Sequence, residues 1–497
     1  MRDALKPALI AVLVFTGCGQ SSRIGETQPA AVVQPACAPG TPAVAHDAAG
    51  NILSFAAVPI ACATLTGFGG AETHIRVASN GTVVEQPAVI VPGILGTGFV
   101  PGAPGPHPET QLSVAGLAVS HDAGKQWQFV KPGGATWVGQ DSSIYIDRAS
   151  DRLFFYALAV NPAPQGGGVP LTDQVPSYQA HLLSSGDDGV TWNVVGIPGF
   201  NNSENPRFTS APAAAGQPAA IAGENVTYWC GNNMQFTFVA RICYRSMDGG
   251  VSWQQTSIML TRGVPRHSEC GNSEEDLATY DGHYPVGAAD GSLWLLLSCG
   301  GKTFLARSTD GSVTWPILRK AGSSEPLTIP AAEELRIDPV GNLYSVRQQG
   351  SALNLRISRD GGQSWSDPLN MTAPAVRKAG AFQWATASRG PGQVAVTYLV
   401  PRSGGGYDGY ITVTRNALDA QPVFFSAAFN SADAPLVTRS QTAKDDYIDV
   451  DLGPDGTPWA AFYSDCPADN SEPTCAAAGG VNPLGAATTV GWFQWPR

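Results

Sequence analysis

The sequence has few charged residues and no basic excess. Only 14% of its 497 residues are charged, with 29 basic against 40 acidic side chains and a formal net charge of −11. A nucleic-acid partner would need a basic face, so this class of function is disfavoured. HExxH, paired-His and CxxC spacings are also absent, which argues against histidine and thiolate metal sites. The glycine runs at 166–168 and 404–406 precede no helical pattern, which argues against a phosphate-binding loop.

Long apolar runs are absent except at the N-terminus. Residues 9–15 form an apolar stretch too short to span a bilayer as a helix, and Arg2 and Lys6 precede it, as is typical of a targeting segment. Residues 15–18, Phe-Thr-Gly-Cys, resemble the lipobox of bacterial lipoproteins. The resemblance implies cleavage before Cys18, a lipid on its thiol, and an exported protein anchored at the outer membrane or cell surface. The alternative is an ordinary signal peptide with Cys18 unmodified.

The residues that follow Cys18 are poor in large apolar side chains. Gln, Ser, Ala, Pro and Gly dominate up to about residue 45, so this stretch cannot build a core and is predicted to be a tether. We therefore expect a signal peptide over 1–17, a flexible tether over 18–45 and one folded domain over 46–497.

Eight of the nine cysteines remain when Cys18 is set aside as the lipidation site. An even number in an exported chain predicts a disulfide framework. Eight cysteines allow 105 connectivities, and the pairing of sequence neighbours is the simplest of them. It joins Cys37 to Cys62, Cys230 to Cys243, Cys270 to Cys299 and Cys466 to Cys475.

Turn-forming and aromatic residues are abundant, and an internal repeat accompanies them. With 57 Gly, 39 Pro and 12 Trp, the composition favours short strands joined by turns, which is an all-β fold. The pattern Ser-x-Asp-x-Gly-x-x-Trp occurs four times in full, and a fifth copy carries Ser312 in place of glycine. The five aspartates are 50 to 65 residues apart, the length of a four-stranded sheet with loops. They are Asp122, Asp187, Asp248, Asp310 and Asp360.

The repeated pattern has the chemistry of a hairpin corner. Asp can accept backbone N–H bonds within the turn, Gly can adopt positive φ, and Trp can pack on the neighbouring sheet. These corners resemble the Asp boxes of sialidases and related propellers. The resemblance implies a β-propeller in which the boxes lie on the outer rim, away from any active site. We therefore interpret the five aspartates as structural.

The period of the repeat predicts the number of blades. Two further units, over 381–414 and 447–495, keep the strands without the box, which makes seven blades the expected number and six the alternative. The last unit stops one strand short, and a strand near 51–58 is predicted to supply its outer edge and close the ring. The expected protein is a monomer.

Acidic residues recur just before the predicted inner strands of the blades, at Glu72, Asp141 and Glu204. Inner strands line the central funnel, so these carboxylates could gather at its mouth, act as a ligand site or general acid, or attract Ca²⁺. The alternative is that each caps a strand and binds the backbone of its own blade. No other cofactor is expected.

The resemblance to sialidases implies three arginines that bind a substrate carboxylate, a Tyr nucleophile activated by Glu, and an Asp acid/base. The Phe/Tyr-Arg-Ile-Pro stretch of that family is absent, and the nearest stretches are Ile75-Arg76-Val77 and Pro206-Arg207-Phe208. The ligand face is predicted to be the one opposite the boxes, where the predicted disulfides would hold long loops. The candidate catalytic residues are Arg266, Arg377, Arg439, Glu334, Asp446 and Tyr447.

Three functional hypotheses remain open at this point. The first is a surface-tethered, glycan-acting propeller, an exo-α-sialidase or related glycoside hydrolase. The second is a non-catalytic propeller that binds a glycan or a surface protein through the same face. The third is a structural envelope lipoprotein without a small ligand.

Overall fold

The computed structural model describes most of the chain after the predicted tether. The described residues are 40–66, 71–90, 113–134, 137–160, 178–197, 203–235, 238–261, 267–270, 284–329, 334–376, 382–403, 406–430, 435–436, 448–465 and 486–496. Two single turns of 3₁₀ helix, Pro132–Gly134 and Ser268–Cys270, are the helical segments within them. The described part of the chain contains no helix able to cross a membrane.

Strands make up the rest of the regular structure in these residues. They are β1 (Thr41–Pro42), β2 (Val44–His46), β3 (Ile60–Leu65), β4 (Ala71–Val77), β5 (Val83–Ile90), β6 (Ser113–Ala115), β7 (Leu117–Ser120), β8 (Gln128–Val130), β9 (Trp137–Ile146), β10 (Leu153–Val160), β11 (Tyr178–Ser185), β12 (Asn193–Gly196), β13 (Ser203–Ala211), β14 (Val226–Gln235), β15 (Phe238–Ser246), β16 (Gln254–Thr261), β17 (Val286–Gly287), β18 (Leu293–Cys299), β19 (Lys302–Ser308), β20 (Thr328–Ile329), β21 (Glu334–Ile337), β22 (Leu343–Gln349), β23 (Ala352–Ser358), β24 (Leu369–Asn370), β25 (Phe382–Ser388), β26 (Val394–Pro401), β27 (Tyr407–Thr414), β28 (Phe424–Ala428), β29 (Asp449–Leu452), β30 (Pro458–Asp465) and β31 (Ala486–Gln494).

The strands form seven antiparallel blades in a ring, which confirms the predicted β-propeller. Blade 1 is β4, β5, β7 and β8, and β6 links it to blade 2, which is β9 to β12. Blades 3, 4, 5 and 6 are β13 to β16, β17 to β20, β21 to β24 and β25 to β28. Blade 7 is β29, β30, β31 and β3. The first strand of each blade is its inner strand, nearest the axis.

An N-terminal strand closes the ring, as predicted, but not at the predicted residues. Strand β3 pairs with β31 and completes blade 7, while β2 adds a fifth strand to blade 6 through β28. The segment 51–58 is not a strand because its apolar side chains find no core: Ile52 is 70% exposed and Phe55 47% exposed. Residues 41–46 also belong to the sheets, although the sequence placed them in the tether.

The core lies between neighbouring blades. At the junction of blades 7 and 1, Trp459 and Trp492 stack with ring centroids 5.1 Å apart. They pack with Ile75 and Val77 of blade 1 in one buried cluster that also contains Cys62 of β3. We call this junction the closing seam, because it joins the last blade to the first.

The box corners connect the third and fourth strands of blades 1 to 5 and are held by their own side chains. In the second box, Asp187 accepts bonds of 2.8 and 2.6 Å from the Thr191 backbone and hydroxyl. The Gly189 N–H donates to the Ser185 hydroxyl at 2.9 Å. The hydrogen bonds from Thr191 lower the pKa of Asp187 to about 2. The other boxes repeat these contacts, at Asp122, Asp248, Asp310 and Asp360.

The fourth box along the chain, that of Asp310, carries a strained residue. Ser312 occupies the glycine position with φ of 71°, is fully buried, and its hydroxyl finds no hydrogen-bond partner among the described residues. We expect Ser312→Gly to raise the free energy of unfolding by about 1 kcal/mol, because it removes left-handed strain and a buried unpaired hydroxyl. Urea unfolding of both proteins measures the change.

The matched control is the reverse exchange in another box. Gly362 has φ of +86°, and a Cβ there would lie 2.5 Å from the Leu305 side chain, so Gly362→Ser should destabilise the protein. A Ser312→Gly variant less stable than the parent would contradict the assignment of strain.

Two disulfides join described cysteines, and both are pairings proposed from the sequence. Cys230 bonds Cys243, and Cys270 bonds Cys299. The sequence predicts Cys230 and Cys243 in or beside the loop that joins the second and third strands, and the structure places them opposite each other within β14 and β15, because this hairpin is longer than expected. Cys62 in β3 is also disulfide-bonded. The other predicted cysteines lie outside the described residues: Cys18, Cys37, Cys466 and Cys475.

Candidate functional site

The inner strands of all seven blades line a central channel. A cavity of about 370 Å³ lies in it, with lining residues from β4, β9, β13, β17, β21, β25 and β29. Because the boxes follow the third strands, the inner strands begin at the end of the channel opposite the boxes. The lining combines arginines, carboxylates and the aromatic side chains of Tyr145, Tyr284 and Trp384.

Three inner-strand arginines reach this cavity from alternate blades. Arg76 lies on β4 of blade 1, Arg207 on β13 of blade 3 and Arg336 on β21 of blade 5. Each stands between two apolar neighbours, as in Leu335-Arg336-Ile337. Alternation along a strand turns the apolar neighbours into a blade interface and puts the arginine on the other face of the strand, where it lines the cavity.

Arg76 belongs to a buried group that links blades 1 and 7. Asp449 of β29 forms an ion pair with Arg76, lies 3.1 Å from His74 Nδ1 and accepts the Ile75 N–H at 3.3 Å. Burial opposes ionisation of Asp449, but Arg76 and His74 hold its pKa well below the usual range. Burial and the charge of Arg207 lower the pKa of His74 to about 4, so His74 is neutral at pH 7.

Arg207 contributes to a second arrangement, around an aromatic ring. The guanidinium carbons of Arg207 and Arg241 both lie 5.1 Å from the centre of the Tyr284 ring. Arg241 is fully buried and donates to the Asn232 side chain at 3.1 Å. Two guanidinium groups therefore fix Tyr284 at the wall of the cavity through cation–π contacts.

Tyr145 has a different environment. Its hydroxyl accepts the Ser210 N–H at 3.0 Å and lies 2.8 Å from the Ser210 hydroxyl, which donates to Asp147 at 2.7 Å. Burial raises the pKa of Tyr145, so its hydroxyl stays protonated. These bonds join blade 2 to blade 3, which makes Tyr145 a structural link.

Inner strands of four blades are irregular near their first residues. Register shifts occur between Ala71 and His74 on β4, between Glu204 and Arg207 on β13, and between Phe382 and Trp384 on β25. A fourth shift lies in the pairing of β9 with β10, between Val138 and Ser143 of β9. Bulges redirect side chains and are enriched beside functional sites, so this end of the channel is the candidate site.

Of the predicted catalytic residues, Glu334 is described and lines the cavity. Its side chain accepts the Thr386 N–H at 3.1 Å, bonds the Thr386 hydroxyl and pairs with Arg336 at 3.0 Å. Glu334 thus binds the backbone of the next blade. Its catalytic role stays a prediction. The other five candidates, Arg266, Arg377, Arg439, Asp446 and Tyr447, lie outside the described residues.

The predicted binding carboxylates are placed only through their backbones. Glu72, Asp141 and Glu204 lie within β4, β9 and β13, whereas the sequence placed them just before the inner strands. Their side chains lie outside the described residues. Sequence reasoning missed Arg336 altogether. The signal that could have found it is an arginine between two apolar residues at the inner-strand position of a blade.

Three of the four described carboxylates that line the cavity are engaged by arginines, and the fourth, Asp338, accepts a bond of 2.7 Å from the Tyr344 hydroxyl. Asp449 pairs with Arg76, Glu334 with Arg336, and Asp451 with Arg148 at 2.8 Å. Within the described residues, no group of three His, Cys, Asp or Glu side chains is arranged to hold a metal ion.

Box corners on five blades of a closed ring decide the fold class. By fold, the chain is a seven-bladed β-propeller. No protein-family profile matches this propeller, and no curated protein matches it by sequence.

Several solved structures are similar to this propeller. The lectin of Aleuria aurantia, in complex with Fucα1-6GlcNAc, is 10% identical, with 73% of this chain and 97% of that chain covered and a TM-score of 0.38. The NanB sialidase of Streptococcus pneumoniae is 14% identical, covering 80% and 65%, with a TM-score of 0.34. The GH93 α-L-arabinofuranosidase of Fusarium graminearum is 14% identical, covering 70% and 92%, with a TM-score of 0.40. No activity of this propeller follows from similarity at this level.

Proposed function

We propose that this propeller acts on glycans and that its channel binds an acidic sugar through the carboxylate. The observation that carries the proposal is the convergence of Arg76, Arg207 and Arg336 on one cavity. The planar guanidinium fork matches a carboxylate and binds it with paired, charge-assisted hydrogen bonds. The positive charges of Arg76 and Arg207 repel each other, and an anionic ligand between them would reduce this repulsion.

The dimensions and lining of the cavity support a sugar-sized ligand. Its volume of about 370 Å³ falls within the range of small-molecule pockets, roughly 300–1,000 Å³. Tyr284 and Trp384 offer aromatic surface beside the arginines, and the aromatic rings can pack against the apolar face of a sugar.

Hydrolysis of a terminal sialoside, as by an exo-α-sialidase, is the second candidate function. Tyr284 supports hydrolysis. The resemblance to sialidases implies a tyrosine nucleophile and three arginines, and two guanidinium groups contact the Tyr284 ring. Glu334, one of the catalytic residues predicted from the sequence, lines the same cavity. The rival is binding of a glycan or surface protein without turnover.

Two assays on the purified propeller separate these functions. Titration with sialyl-lactose, with lactose as the neutral control, tests binding of the acidic sugar. A fluorogenic sialoside tests hydrolysis. Binding without release of the fluorophore would select the non-catalytic propeller, and preference for lactose or no binding of either sugar would refute the acidic-glycan proposal.

We also propose that the protein is exported and anchored to the cell envelope by a lipid on Cys18. The lipobox-like residues 15–18 support this. Cells fed a labelled fatty acid should incorporate the label into the wild-type protein, whereas Cys18→Ala should lose it and leave the membrane fraction. Equal labelling of both proteins would contradict lipidation at Cys18.

A further inference from the structure

A carboxyl group is buried in the closing seam without a counter-ion among the described residues. Glu85 is the third residue of β5, opposite Ile75 on β4 and Ala118 on β7. Its exposed fraction is 0%, and neither carboxyl oxygen has a hydrogen-bond partner among the described residues. The hydroxyl of Thr488, on β31 of blade 7, faces this carboxyl group across the seam and favours its ionised form, but burial has the larger effect.

Among the described residues, the neighbouring strands do not supply a counter-ion to Glu85. Of the charged or titratable groups on β4 and β29, His74, Arg76 and Asp449 contact one another, and Asp451 pairs with Arg148. On β9, the Tyr145 hydroxyl bonds that of Ser210. On β31 the facing residue is Thr488, whose hydroxyl meets that of Thr66 at 2.5 Å. Burying an unpaired carboxylate is costly, so the neutral acid is the form that fits this seam. Burial accordingly raises the pKa of Glu85 well above its ordinary value.

We propose that Glu85 makes the stability of the closing seam depend on pH. The seam is stable while the Glu85 carboxyl group is protonated, and it opens more readily when that proton is lost. In the opened seam Glu85 meets water and returns to an ordinary acidity, so opening releases a proton whenever the pH exceeds about 4.5. The opening equilibrium therefore rises with pH, up to tenfold per unit, until the buried group itself ionises.

Glu85→Gln tests this pH dependence, because glutamine has the shape of the neutral acid and cannot ionise. Hydrogen exchange of β3 and β31, corrected for the intrinsic pH dependence of exchange, reports seam opening between pH 5 and pH 8. We expect excess opening in the wild type that grows up to tenfold per pH unit and is absent in Glu85→Gln. Urea unfolding should show the variant gaining stability over the wild type as pH rises, with the two proteins alike at pH 4.5.

The control is Glu325→Gln, since Glu325 is exposed and pairs with Lys320, and it should keep the wild-type pH dependence. The wild-type exchange profile tests the proposal by itself if the variant folds poorly, and Glu85→Met provides a second neutral side chain. A flat wild-type profile, or a Glu85→Gln profile parallel to the wild type, would overturn the proposal.

Discussion

Replacing Asp449 with asparagine is expected to lower the free energy of unfolding by about 3 kcal/mol, because it leaves a largely buried guanidinium without its counter-ion. Asp449 is 7% exposed and serves Arg76, His74 and the backbone of Ile75 at once. An asparagine can replace one acceptor oxygen but not the charge. Urea unfolding of the two proteins at pH 7 measures the loss.

The control for this prediction is an exposed ion pair. Asp290 pairs with Arg307 at 2.5 Å, and its side chain is 57% exposed, so Asp290→Asn should cost about 1 kcal/mol or less. A loss at Asp449 no larger than the loss at Asp290 would show that the seam does not depend on the buried pair.

The second large effect concerns ligand binding. Arg207→Met should weaken binding of sialyl-lactose by about 100-fold, because it removes one of three guanidinium groups that hold the carboxylate. Arg207→Lys keeps the charge but not the planar fork, so an intermediate loss is expected. Isothermal titration measures each affinity.

A matched arginine outside the channel provides the control. Arg319 pairs with Glu269 and is 46% exposed, so Arg319→Met should leave the affinity unchanged. Circular dichroism must show that each variant is folded. Equal affinity of Arg207→Met and the wild type would remove Arg207 from the proposed site.

The blades were predictable from sequence because the box corners are local. Asp187 bonds to Thr191, four residues away, so the turn is encoded in one short stretch and repeats with each blade. The spacing of those turns along the chain then predicts the number of blades. The missing outer strand of blade 7 predicts that an N-terminal strand closes the ring. Which residues form that strand could not be predicted, because this depends on which apolar side chains reach the seam.

The site was much less predictable, because its contacts join distant parts of the chain. His74 and Asp449 are 375 residues apart in sequence, and nothing local indicates that they meet. The arginines predicted from the sequence are loop residues, whereas those that line the cavity, Arg76, Arg207 and Arg336, lie within inner strands. Glu85 could not be foreseen either, since its burial follows from ring closure.

A crystal structure of the propeller with bound sialyl-lactose tests the central claim most directly. The account predicts the sugar carboxylate in the channel, within hydrogen-bonding distance of the guanidinium groups of Arg76, Arg207 and Arg336. A carboxylate that points to solvent, or a sugar bound on the outer rim with the channel empty, would contradict it.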